Sequence, residues 1–404
     1  MKIFFSILFL LLLSSLSTDA QTIRCASASN WEKAMKNPDF IRLQEQFEEA
    51  SSRAKVAKSQ TVFIVPVVFH IIYKNATENI SESQIMSQLD ALNRDFRMRN
   101  ADTTNVEPDF SKADVQIEFC LARRDPNGNQ TNGITRDSTG LSNIGINDLY
   151  YIIRPAWDPD RYLNIWVGDY GDINGNEVLG EATPPGHTPR AQDGVIITYR
   201  AFGTEGTATA PYNEGRTTTH EVGHWFNLLH PWGGGSIPTC NDGDMVADTP
   251  DQDAVYFNCP LNPSVSCGTK DMLSNYMGYV DDDCMGNFSE GQRDRMRNAL
   301  VLLRPSILLS RGCLPVGLDE NSLNDQLTIY PNPADEIIQI RLDEINSPLD
   351  FAIYSLDGKM VKSGSIPSGK TEYQLLTEDL NSGIYLLRIG DSESQITKKI
   401  ILQH

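Results

Sequence analysis

Positive charge and long apolar runs are both scarce in this 404-residue chain. Lys and Arg number 34 against 53 Asp and Glu, a formal charge of −19 at pH 7. A surface so negative repels nucleic-acid phosphates and anionic lipid, which argues against both as partners. The one strongly apolar run, residues 3–13, is too short to span a bilayer, and no later stretch approaches the required length. With Lys2 before it and small residues leading up to Gln21, it reads as a signal peptide, residues 1–20. Cysteine is sparse too, at seven, and an odd count leaves at least one without an internal partner. Export permits disulfides among the others.

What is present centres on residues 219–230, which hold three of the six histidines. His220 and His224 are four apart, so on a helix they lie about 40° apart around the axis and address one space. Glu221, on the same turn, cannot bind the same ion squarely but can reach a water on it as general base. His230 follows six residues after His224, too far round to join the pair if the helix ran on. The chain must therefore turn at or near Asn227, a residue type that tolerates the left-handed conformation such a turn needs. Three neutral imidazoles with a fourth position open describe a catalytic zinc site rather than a closed structural one.

Together with Met277 in Asn275-Tyr276-Met277-Gly278-Tyr279, this pattern resembles the metzincin metallopeptidases. Asn227, where most metzincins carry Gly, and the run HEVGHWFNLLHPW resemble the pappalysin (cytophagalysin, M43) branch. The run from Ile117 to Arg136 resembles pappalysins as well. The resemblance implies an α+β catalytic domain: a twisted mixed sheet with two long helices above an irregular, disulfide-stapled lower half. It implies His220, His224 and His230 as zinc ligands, Glu221 as base, Met277 as the apolar floor beneath them, and Tyr279 as a donor to the oxyanion. Asp282, in Asp281-Asp282-Asp283, takes the position of an acid that selects basic side chains after the scissile bond. The resemblance further pairs Cys240 with Cys267 and Cys259 with Cys284, where the sequence alone allows three pairings. Cys120 with Cys313 is the remaining pair expected, tying the middle of this domain to its end.

Residues 21–59 are polar, lack a strand pattern and read as a pro-segment, with Arg53, Lys55 and Lys58 as cleavage points. Cys25 is the cysteine left over; its thiolate can fill the open zinc position until the segment is removed, as the resemblance to latent pappalysins implies. Residues 62–73 form a nearly continuous β-branched and aromatic run, expected as a strand covered on both faces that opens a catalytic domain over residues 60–313. His70 within it is expected to be a packed strand residue. Ser81 and Gln84 supply a capping box for a helix carrying Ile85, Leu89, Leu92 and Phe96, whose polar residues are expected to mark its solvated face. Strands at 163–167, 177–182 and 195–199 follow, and one of the last two should form the upper edge of the cleft, where a peptide can add in extended form. After His230, residues 240–250 cluster hard oxygen donors of the kind calcium prefers, with Asp244 and Thr249 as leading ligands. The acidic cluster at 281–283 is expected beside the cleft, favouring basic substrate side chains.

A short polar linker, residues 314–325, leads to short strands at regular spacing over residues 326–404, the pattern of a small β-sandwich. It resembles the C-terminal sorting domains of the type IX secretion system, which implies export across a bacterial outer membrane and secretion machinery as a partner. The expected product is a secreted zinc endopeptidase, latent as made, acting on protein and peptide substrates. The contrasting reading is a metal-dependent adhesin on an inactive protease fold, and the intact Glu221 argues against it. A zinc amidase for non-peptide substrates is the third reading.

Overall fold

Valine, isoleucine and phenylalanine dominate residues 63–73, and every residue from Val65 to Ile72 is buried, so the first strand lies at the centre of a covered sheet. The computed structural model describes residues 22–53, 61–186, 189–241, 243–261, 263–315, 327–342, 348–391 and 395–404. The expected signal peptide, Lys55, Lys58 and nearly all of the expected linker fall outside them.

Two helices come first, α1 (Ser27–Ala34) and α2 (Pro38–Arg53). The central strand β1 (Phe63–Tyr73) is followed by α3 (Glu82–Phe96), β2 (Ile117–Leu121), β3 (Ile134–Ser138), the single turn α4 (Tyr150–Ile153) and β4 (Leu163–Gly168). A small hairpin of β5 (Asp172–Ile173) and β6 (Asn176–Glu177) leads to β7 (Gly180–Ala182) and β8 (Val195–Thr198). β2 and β3 share one side of β1 and β4 takes the other, all parallel. β8 continues the parallel set, and β7 closes the sheet as an antiparallel edge strand. This edge is the strand that faces helix α5 (Arg216–Trp225), which carries His220, Glu221 and His224. A two-strand hairpin, β9 (Val265–Ser266) with β10 (Thr269–Lys270), and the closing helix α6 (Glu290–Leu302) complete the domain.

The apolar positions of α3, Ile85, Leu89, Leu92 and Phe96, are all buried against this sheet. Its polar residues do not keep to a solvated face, contrary to the expectation from pattern alone. Gln84, Gln88 and Asp95 are buried because they hold other elements. Gln84 donates to the carbonyls of Tyr199 and Phe202, Gln88 bonds Gly203 and Gly215, and Asp95 accepts from Arg216 and Thr219 at the start of α5. Ser81 caps α3 through the Gln84 amide, but the Gln84 side chain is committed elsewhere; the reciprocal box forms instead on α6, between Ser289 and Gln292. Disulfides join Cys120 to Cys313, Cys240 to Cys267 and Cys259 to Cys284, and Cys25 is free and buried.

The C-terminal strands build a core of their own. β11 (Leu327–Tyr330), β12 (Ile337–Leu342) and β15 (Glu372–Leu376) form one antiparallel sheet. β13 (Leu349–Ser355), β14 (Met360–Ile366), β16 (Gly383–Gly390) and β17 (Gln395–Leu402) form the other. Ile338, Ile340, Ile353, Leu387, Ile389 and Ile400 fill the space between them, the arrangement of a β-sandwich. Among the described residues no helix is long and apolar enough to cross a membrane.

Candidate metal centre

Helix α5 places His220 and His224 on one face and stops at Trp225. Asn227 then takes a left-handed conformation, φ 70°, while the Leu228 amide returns to the Gly223 carbonyl. Its side chain donates to Gln44 of α2, and its carbonyl accepts from Arg295 of α6. The reversal brings His230 back beside the other two rings, and Trp232 stacks on it at 4.7 Å and 7°. Gly223, between the two helical histidines, leaves room for Met277: a Cβ there would lie 2.5 Å from the methionine sulfur. Met277 is thus the buried floor of the cluster.

Three nitrogens converge. His224 Nε2 lies 3.1 Å from His220 Nε2 and 3.0 Å from His230 Nε2. The Nδ1 atoms of His220 and His224 each sit 2.8 Å from a carbonyl, of Tyr276 and Leu228 respectively. A carbonyl only accepts, so Nδ1 carries the proton and the Nε2 atoms of neutral rings face one another as bare lone pairs. Burial, the largest cause in each case, holds all three rings below the ordinary imidazole range, His224 at about 4. Lone pairs at this separation repel, and a cation between them removes the conflict. The donor set, with carbonyls orienting the far nitrogens, fits zinc. Cys25 Sγ completes the group: ligand atoms of Cys25, His220, His224 and His230 all lie within 4.8 Å of one another.

Residues 22–34 lie across this centre. Ile23 runs parallel to the rim at Val178, exchanging hydrogen bonds with Glu177 and Leu179, and the Ala26 amide donates to Gly180. Ser27 Oγ donates to Glu221 Oε2 at 2.7 Å, while Glu221 Oε1 is buried without a hydrogen bond. Burial pushes Glu221 up to about 8. The Tyr279 hydroxyl donates to the Cys25 carbonyl at 3.4 Å, its ring packed against His220, His230 and Trp232. Burial and the nearby Cys25 and Glu221 raise Tyr279 well above its usual value, so it stays a donor.

Asp282 is fully buried. One oxygen takes the Arg24 guanidinium at 2.6 Å, and the other accepts from the amides of Glu214 and Arg216 at 2.9 and 3.3 Å, at the N-terminus of α5. Arg24 also lies over the Tyr212 ring. Of the acidic trio expected beside the cleft, only Asp282 faces inward; Asp283 is exposed. No spacing in the sequence singles out Arg24, Ser27 or Gly223. Asp244 and Thr249 are likewise buried: Asp244 Oδ1 accepts from the Val246 amide, while Oδ2 and Thr249 Oγ1 have no well-formed hydrogen bond. Burial pushes Asp244 up to about 7, with the nearby threonine hydroxyl acting the other way.

Residues 147–301 match the family described as pregnancy-associated plasma protein-A, the M43 peptidases, and residues 328–403 match the secretion system C-terminal sorting domain. The latter marks the chain as type IX cargo, exported from a bacterium with an outer membrane. An extracellular metalloprotease of Arthroderma benhamiae is 30% identical over 259 residues, 63% of this chain and 84% of that protein. One from Verticillium alfalfae is 31% identical over 255 residues, 60% and 78% of the two chains. Promirolysin of Tannerella forsythia, solved as a mutant, is 38% identical with a TM-score of 0.62 over 70% of this chain and 96% of that one. Mature mirolysin with a cleaved peptide is 42% identical, TM-score 0.57, over 62% and 96%. The chain belongs to the pappalysin-like M43 metallopeptidases and ends in a secretion sorting domain.

Proposed function

We propose that the chain is the latent precursor of a zinc endopeptidase that cuts before Arg or Lys. The observation that carries the reading is the convergence of three histidine Nε2 atoms beside Glu221, crossed by a peptide whose carbonyl meets Tyr279. His220, His224 and His230 would hold the ion, which supplies Lewis acidity toward water and carbonyl oxygen when bound. Glu221 takes a proton from the attacking water and delivers it to the leaving amine nitrogen. Tyr279 donates to the carbonyl oxygen as negative charge develops there. Asp282, oriented by two backbone amides, receives a basic side chain in the place Arg24 takes in the precursor.

Residues 21–59 are the inhibitory pro-segment in this reading. Cys25 blocks the fourth position, Ser27 engages the base, and cleavage near Arg53 to Lys58 releases both. Burial and Glu221 push the Cys25 thiol up in the protein alone; with a cation held at the histidines the thiolate would be favoured. The unpaired oxygens of Asp244 and Thr249 support a calcium site in the lower half, which EGTA would reveal as a lowered melting temperature absent from Asp244→Ala. Glu221→Ala tests the whole assignment: it should retain the metal and lose peptide cleavage, and equal cleavage by both forms would refute it. Peptide-library profiling separates an endopeptidase from an amidase in the same experiment.

A further inference from the structure

Glu181 has no part in that chemistry. A Cβ on its neighbour Gly180 would lie 2.9 Å from Glu221 Cγ, so Gly180 faces the base and Glu181, one residue on, turns to the other face of the edge strand. There its carboxylate accepts from the Tyr170 hydroxyl on one oxygen and from the Asn30 side chain on the other. Asn30 also donates to the Ala182 carbonyl at 3.2 Å. Beside it is a cavity of about 360 Å3 whose lining includes Asn30, Lys33, Asp148, Tyr151 and Gln192. Gln192 donates to Asp148 at 3.0 Å. Of the groups around these carboxylates, Asn30, which donates to Glu181, and Lys33, which lines the cavity, both belong to the pro-segment. When it leaves, Glu181 keeps Tyr170 on one oxygen and has the other uncovered, on the face of the edge strand away from Glu221.

The rim gives the direction. Along β7 and the residues before it, Ile23 meets Glu177 and Leu179, Ala26 meets Gly180, and Asn30 meets Ala182. The pro-segment therefore passes from Asp282, through the histidines, to Glu181, and the two carboxylates lie on opposite sides of the metal centre. A peptide extended along the rim sends alternate side chains to the face where Glu181 lies.

We propose that Glu181, backed by Asp148 and Gln192, forms a second substrate subsite, across the scissile bond from the Asp282 pocket, that takes a hydrogen-bond-donating side chain, either an amide or a cation. Asn30 is its occupant in the precursor, as Arg24 is the occupant of the Asp282 pocket. In the precursor, with the pro-segment over it, burial holds Glu181 up at about 7 despite its two donors. Only the side of the cut depends on the endopeptidase reading above.

Two measurements on the matured protein test it. In a peptide library, the wild type should favour Lys, Arg, Asn or Gln over Asp or Glu by about tenfold at one position before the cut. Glu181→Gln, which keeps an acceptor for Tyr170, should flatten that preference and leave selection after the cut unchanged. Asp148→Asn should weaken the same position and covers the case in which Glu181→Gln fails to fold. Independently of turnover, a peptide of residues 22–35 should bind about tenfold more weakly when it carries Asn30→Asp, and Glu181→Gln should abolish the difference. A binding difference without cleavage would overturn the hydrolytic reading and keep this one. Equal binding of the two peptides, or a library profile unaltered by Glu181→Gln, would overturn this one.

Discussion

Arg24 and Asp282, 258 positions apart in the sequence, meet in an ion pair at 2.6 Å with both side chains about 1% exposed. Removing one partner of such a pair costs on the order of 3–5 kcal/mol, because the other stays buried. Asp282 keeps its two backbone amides, so the loss should fall on the docking of the pro-segment more than on the catalytic domain.

Arg24→Ala should accordingly loosen the precursor, with limited proteolysis removing residues 21–59 at least about tenfold faster than in the wild type. Cys25→Ser should add residual peptidase activity before cleavage without changing the activity of the matured enzyme. The two are measured together by following fluorogenic-peptide turnover during maturation, and precursors indistinguishable from wild type would remove the latency reading.

Asn227 holds a left-handed backbone that a β-branched residue adopts only with strain. Asn227→Val should cost about 1–2 kcal/mol and lower zinc occupancy by displacing His230, whereas Asn227→Gly should keep both the turn and the metal. Zinc content by mass spectrometry alongside thermal melting reads this out. Full occupancy in Asn227→Val would show that His230 does not depend on this turn.

His70 is buried between Thr135 and Asn164, and burial lowers its pKa from 6.5 to about 4. The folded protein therefore binds this proton less readily than the unfolded chain. Its contribution to stability is complete above pH 6.5 and is lost as pH falls toward 4, on the order of 3 kcal/mol in all. Melting temperatures measured from pH 7 to 4 should fall more steeply for wild type than for His70→Gln, and parallel curves would contradict the assignment.

The residues that were legible in the sequence are those whose chemistry is tied to local spacing. The four-residue step from His220 to His224 and the need for a turn at Asn227 follow from helix geometry, and the run 63–73 reads as a covered strand from composition. What was not legible depends on partners far away in the chain. Nothing around Arg24 announces Asp282, and nothing around Ser27 announces Glu221. Gln84, Gln88 and Asp95 read as a solvated stripe until the loops and helix they bind are folded over them. Gly223 looks like a weak helix residue until Met277 is beneath it. Glu181 gave no signal at all, since its role appears only once the pro-segment lies against the edge strand.

Anomalous diffraction at the zinc absorption edge, from crystals of the full precursor, tests the central claim most directly. The account predicts one strong peak bounded by the Nε2 atoms of His220, His224 and His230, with Cys25 Sγ as the fourth ligand. A map with no peak there after zinc soaking, or with the His230 ring turned away from the other two, would contradict it.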